Sequence, residues 1–131
     1  MANNLLIDTD ILVDFFRGKI KAVSFIQKHA DRILLASVVV AELYAGVKGK
    51  EEKQTLDQFI SLFPVLALDK DIAIAGGLYK QTYGKSHGTG LVDAILAATA
   101  EHHQANLVTL NTKHYPMLKG LKPAYVKRQR T

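Results

Sequence analysis

At 131 residues the chain has room for one hydrophobic core, so a single domain, 1–131, is expected. Its 48% hydrophobic and 22% charged residues are ordinary for a globular protein, and no apolar run nears the roughly 18 residues of a membrane span. A formal charge of +5 comes without any cysteine, which excludes a disulfide framework, a thiolate zinc site and a Cys nucleophile; with no signal-type segment in Met1 to Asp8, a reducing cytoplasm is expected.

The elements alternate along the chain. Asn4 to Asp8 (NLLID) predicts a strand, and Asp10 a cap for a helix over Ile11 to Phe16 that stops near Gly18. Ala22, Phe25, Ile26 and His29 repeat the helical spacing, and Ile33 to Ala36 predicts a second strand. Ser37 suits the cap of a helix over Val38 to Val47, closed by Gly49. Leu56, Phe59, Ile60 and Phe63 form the apolar stripe of the next helix, with Glu51, Glu52, Lys53 and Asp57 on its charged face and Pro64 at its end. Val65 to Leu68 predicts a third strand. Asp69 then caps a helix marked by Ile72, Ala75, Tyr79 and Tyr83, which Gly76 and Gly77 weaken. A loop over Gly84 to Gly90 leads to an Ala-rich helix, Leu91 to His103, and a fourth strand, Leu107 to Leu110; Ala124 to Val126 suits a short edge strand. This alternation predicts an α/β domain with a mainly parallel sheet, helices on both faces and right-handed crossovers. Ligands in such a domain sit beyond the carboxyl ends of the strands, where Asp8 and Asn111 fall.

Charge is uneven. No acid follows Glu101, whereas Lys113, Lys119, Lys122, Lys127, Arg128 and Arg130 do, which predicts a basic surface able to gather phosphates, or else a solvated basic tail.

Most acids fit charged helix faces or caps, but three stand among apolar residues: Asp8 at a strand end, Glu42 in VVVAELYAGV and Asp93 in GLVDAILAATA. Burying an ionised carboxylate without a partner costs several kcal/mol, and these three cannot pair with one another. With no Lys or Arg inside the three apolar runs, a divalent cation is the partner that remains. Oxygen ligands favour magnesium or manganese over zinc, and such ions serve phosphodiester hydrolysis. Crowding should raise at least one carboxyl pKa in the metal-free chain. Taken singly, Asp93 also suits the first turn of a helix and Asp8 an Asx turn, so the inference rests on the set.

Through these acids the chain resembles the PIN-domain family and, within it, the VapC-type toxins of bacterial and archaeal toxin–antitoxin pairs. The resembling stretches are LLIDTDILVDFFRG (Leu5 to Gly18), SVVVAELYAGV (Ser37 to Val47), HGTGLVDAILAATA (His87 to Ala100) and NLVTLNTKHYPML (Asn106 to Leu118), in the family's order. The resemblance implies an α/β/α sandwich, a Mg2+- or Mn2+-dependent endoribonuclease acting on RNA, a homodimer, and a cognate VapB-like antitoxin. It places Asp8, Glu42 and Asp93 at the family's three acidic metal-binding positions and Asn111 at the fourth, which many members fill with Asp. Asn111 carries less negative charge there, which bears on whether one or two ions bind. By the same resemblance Thr9 and Thr109 are hydroxyls that support the acids, although a strand-end hydrogen bond would suit either.

Adjacent His102 and His103 point apart on a helix and suit a solvated helix end, while His87 and His114 read as polar surface. Two rivals remain. The DTD at Asp8 to Asp10 suits a HAD-like phosphatase, but that chemistry needs a later acidic pair, and only Glu101 follows Asp93. A non-catalytic nucleic-acid-binding domain would account for the basic tail and leave the three acids unexplained.

Overall fold

Leu5, Leu6 and Ile7 are consecutive and all buried, the pattern of a strand covered on both faces. They form β1 (Leu5–Ile7) in the computed structural model, which describes residues 3–126. The other strands are β2 (Ile33–Ala36), β3 (Val65–Leu66) and β4 (Asn106–Val108), and the sheet runs in the order β3-β2-β1-β4 with every pairing parallel. Leu6 lies opposite Leu34 on one side of β1 and Leu107 on the other.

Six α-helices connect the strands. α1 (Thr9–Phe16) and α2 (Ile20–His29) lead from β1 to β2; α3 (Ser37–Ala45) and α4 (Gly49–Ile60) lead on to β3. α5 (Lys70–His87) and α6 (Leu91–His102) return across the sheet to β4, on the far side of β1. Because this return runs opposite to the first two crossovers, right-handed connections put its helices on the other face, and the fold is a three-layer α/β/α sandwich. The direction of winding reverses between β1 and β4, and open α/β sheets hold their ligands beyond the strand ends at such a point. Among the described residues no helix is long and apolar enough to cross a membrane.

Several boundaries differ from the sequence reading. Asp8, not Asp10, stands at the N-cap of α1, because Asp10 is drawn to the end of β4. Ser37 is the first residue of α3, whose N-cap is Ala36, and Gly49 opens α4 instead of closing α3. α5 passes through both glycines and runs to His87, so the loop expected at Gly84 is helix; Gly88, with φ +66°, closes it in the left-handed conformation that a Cβ disfavours. Gly76 is there for packing: a Cβ on it would lie 2.8 Å from Ile95 Cγ1 and 2.9 Å from Ile95 Cα, so its absence lets α5 rest directly on α6. α6 is buried through Ala94, Leu96, Ala97, Ala98 and Ala100, which explains an apolar helix with no polar face. β3 is shorter than expected, and Ala124 to Val126 is not a strand, although the Ala124 N–H donates to the Thr109 carbonyl at 3.1 Å. Lys113, Lys119 and Lys122 are exposed; Lys127, Arg128 and Arg130, the rest of the expected basic surface, lie outside the described residues.

Candidate active site

Asp8 follows β1 directly, and its N–H continues the ladder to the Val108 carbonyl at 2.9 Å. The side chain is 8% exposed and takes three hydrogen bonds. Oδ1 accepts from the Thr9 N–H at 2.7 Å, while Oδ2 accepts from the Thr109 hydroxyl at 2.8 Å and the Tyr115 hydroxyl at 2.7 Å. Burial, and then the neighbouring Asp10 charge, push the Asp8 carboxyl up to about 6 despite these donors. The crowding expected from sequence is therefore present, but its charged source is Asp10 and not Asp93. Asp10 itself accepts from the N–H groups of Ile11 at 2.8 Å and Leu110 at 3.0 Å, which pins the end of β4 against the start of α1.

Asp93 reaches the same place from the first turn of α6, with a side chain 27% exposed. Oδ1 lies 3.1 Å from the Tyr115 hydroxyl, and Oδ2 lies 3.4 Å from the Gly90 N–H and 3.3 Å from His114 Nδ1. Buried Thr89 donates to the His114 carbonyl at 2.7 Å and so ties the start of α6 to the segment after β4. Burial, with the charges of Asp8 and Asp93 next, pushes the Tyr115 phenol far above its usual range, so it stays a proton donor. The Asn111 amide nitrogen is 3.0 Å from His114 Nδ1, and among the described residues no hydrogen bond joins that side chain to an acid. The same ring nitrogen also faces Asp93 Oδ2, so the His114 ring stands between the Asn111 amide and that acid.

Glu42 corrects the desolvation argument, because it is exposed on α3 and not buried. Its Oε1 accepts from the Thr9 hydroxyl at 2.6 Å, which joins it to Asp8 through adjacent residues of the chain. Beside this contact a groove of about 530 Å³ opens between α1, α3 and α4, with Val13, Phe16, Leu43 and Leu56 among its walls and Arg17 and Lys48 at its edge.

The three acids are thus linked by the Tyr115 hydroxyl, between Asp8 and Asp93, and by Thr9, whose N–H meets Asp8 and whose hydroxyl meets Glu42; Thr109 also touches a carboxylate. Tyr115 escapes the sequence reading, in which Asp10 is a cap and His114 polar surface. Tyr115 is 107 positions from Asp8 and has no local polar pattern, although it lies in the last resembling stretch. Among the described residues no Lys or Arg pairs with Asp8, Glu42 or Asp93. Nor, among the described residues, is any group of three His, Asp or Glu side chains closed around one point; the Tyr115 hydroxyl stands between Asp8 and Asp93. Hard oxygens with a desolvated carboxyl and no Lys or Arg counter-charge fit a hard divalent cation in kind. His87, at the end of α5, contacts Ser86 at 2.8 Å, and the His102 and His103 rings meet edge to face; neither site joins the acids.

Comparison with known proteins agrees with this geometry. The chain is 37% identical over 124 residues to Ribonuclease VapC19 of Mycobacterium tuberculosis, covering 92% of this chain and 98% of that one. Ribonuclease VapC10 of the same organism is 34% identical over 124 residues, with 92% of each chain covered. Among solved structures, a toxin-antitoxin complex from Klebsiella pneumoniae superposes with a TM-score of 0.80 at 28% identity, over 93% of this chain and 98% of that one. The model of the PIN domain matches residues 5–117, a span that holds every acid of the network, and the chain accordingly belongs to the PIN-domain family.

Proposed function

We propose that this chain is a divalent-metal-dependent endoribonuclease, the toxin of a toxin–antitoxin pair. The observation that carries the reading is the meeting of Asp8 and Asp93 at the Tyr115 hydroxyl, where the sheet reverses direction, with Glu42 reached through Thr9. A phosphatase-type Asp-x-Asp is not favoured, since Asp10 is engaged by backbone N–H groups of its own helix and of Leu110, just beyond β4.

Asp8, Asp93 and Glu42 are the residues that would hold Mg2+ or Mn2+, which when bound supplies a polarised water and charge stabilisation at phosphorus. Thr109 and Tyr115 orient Asp8, and the Thr9 hydroxyl orients Glu42. Asn111 acts through His114, setting the ring that faces Asp93. Exposed Lys113, next to His114, supplies positive charge for the RNA backbone on the side of the acids, whereas Lys119 and Lys122 line a cleft with Glu101 and Asn106 at the other end of β4. The proposed partners are a VapB-like antitoxin and a second copy of the chain, in the cytoplasm. A labelled RNA incubated with the chain in Mg2+ and in EDTA tests the reading: cleavage should need the metal and vanish in Asp8→Ala, and full cleavage in EDTA would overturn it.

A further inference from the structure

Tyr115 is 1% exposed, yet its one polar atom touches carboxylates from two different elements. The hydroxyl is 2.7 Å from Asp8 Oδ2, beyond β1, and 3.1 Å from Asp93 Oδ1, in the first turn of α6. The two acids depend on it unequally. Asp8 has two further donors, the Thr9 N–H and the Thr109 hydroxyl, whereas Asp93 Oδ1 has, among the described residues, no donor except the phenol. A single hydroxyl proton serves mainly one acceptor at a time, and the shorter contact marks Asp8 as that acceptor. Asp93 Oδ1, at 3.1 Å from the same oxygen, is the weaker acceptor of that shared proton, and the hydroxyl stands between two carboxylates that would otherwise repel. On its other side Asp93 Oδ2 faces His114 Nδ1 and the Gly90 N–H, which would orient the group alone if the phenol were absent.

On the reading that Asp8 and Asp93 hold a divalent cation, we propose that Tyr115 is a positioning residue whose hydroxyl sets the separation and facing of these two carboxylates before a cation arrives. Hydrogen bonds to one face of a carboxylate direct its remaining lone pairs, and outer partners of this kind are typically worth ~10–100-fold in metal affinity or activity. The ring needs no change to remove the effect, because Phe keeps the packing and deletes only the bridge.

The test is Mg2+ binding to the full chain without RNA, followed by calorimetry, for the parent and Tyr115→Phe. The Kd for Mg2+ should rise ~10-fold or more in the variant, and with RNA kcat should fall while KM changes little. Asp93→Asn should weaken Mg2+ binding strongly in the parent, and Tyr115→Phe should then add little in the Asp93→Asn background, since a bridge acting through Asp93 has nothing left to position. Equal Kd values in parent and Tyr115→Phe, or fully additive losses, would overturn the proposal and leave the ribonuclease reading standing. A parent that binds no Mg2+ would overturn both. If Tyr115→Phe does not fold, the buried Tyr115 hydroxyl proton in the parent gives the second measurement: its NMR resonance should move on Mg2+ saturation, and an unmoved signal would also overturn the proposal.

Discussion

The Thr109 hydroxyl donates to Asp8 Oδ2 at 2.8 Å across a sequence separation of 101 residues. The same oxygen lies 3.3 Å from Asp10 Oδ2 and accepts from the Asn111 N–H at 3.1 Å, so one buried hydroxyl orders the end of β4 against both acids that follow β1. Thr109→Val keeps the shape but leaves Asp8 one donor short and the Asn111 N–H without its acceptor. Urea unfolding should show a loss of about 1–3 kcal/mol, with Thr109→Ser close to the parent. A Val variant as stable as the parent would mean that the hydroxyl contributes nothing.

Metal-free stability should fall as pH rises. The Asp8 carboxyl titrates at about 6 in the folded chain against 3.8 for the free group, so between these values the folded state binds more protons than the unfolded state. The stabilisation is fully present below pH 3.8 and is lost as pH rises through about 6. A shift of this size corresponds to on the order of 2–3 kcal/mol. Unfolding followed in EDTA from about pH 4 to about pH 7.5 should reveal the decline, and Asp8→Asn should flatten it. If the parent curve is already flat across that window, Asp8 ionises as easily inside the fold as outside it.

Mg2+ and the Asp8 proton should compete. Below about pH 6, where Asp8 is protonated, Mg2+ affinity should weaken as pH falls. Asp8→Ala, Glu42→Ala and Asp93→Ala should each reduce RNA cleavage by more than ~100-fold, beyond the loss usual for outer hydrogen-bond partners. Glu42→Ala is the cleanest of the three, because this exposed side chain should change stability by no more than ~0.5 kcal/mol. Retained cleavage in that variant would remove Glu42 from the site.

Neighbouring glycines on α5 should respond with opposite signs. A Cβ at Gly76 meets Ile95 within 2.9 Å, including its backbone, so Gly76→Ala should cost about 1–3 kcal/mol. Gly77 has nothing within 4 Å of a new Cβ, so Gly77→Ala should stabilise by about 0.5–1 kcal/mol through helix propensity. Thermal melts of the two single variants decide the matter, and a stabilised Gly76→Ala would contradict the close contact between α5 and α6.

Much of the architecture was legible from local pattern, because burial on both faces demands apolar runs such as Leu5 to Ile7, and caps such as Asp69 show their oxygen beside a helix start. Asp8 and Asp93 were legible for the same reason: an acid inside an apolar run is conspicuous. Boundaries went wrong where a residue type has two uses. Gly49 stops one helix or opens the next, and Gly76 weakens a helix that tertiary packing then stabilises. Glu42 looked buried in its apolar context, yet it faces out, since periodicity cannot say which side of a nearly all-apolar helix meets the core.

By itself, then, the sequence determined the order of strands and helices, the family, and the acids at issue, because each depends on residues close together in the chain. Only the tertiary structure decided that Asp10 and not Asp93 supplies the charge that raises the Asp8 carboxyl, that Tyr115 joins Asp8 to Asp93, and that the Asn111 amide meets the His114 ring. Those relations are set by hydrogen bonds and charges acting over a few ångströms between residues as much as 107 positions apart. Which distant side chains come that close is decided when the return crossover lays β4 beside β1, a consequence of packing the whole chain that no single segment contains.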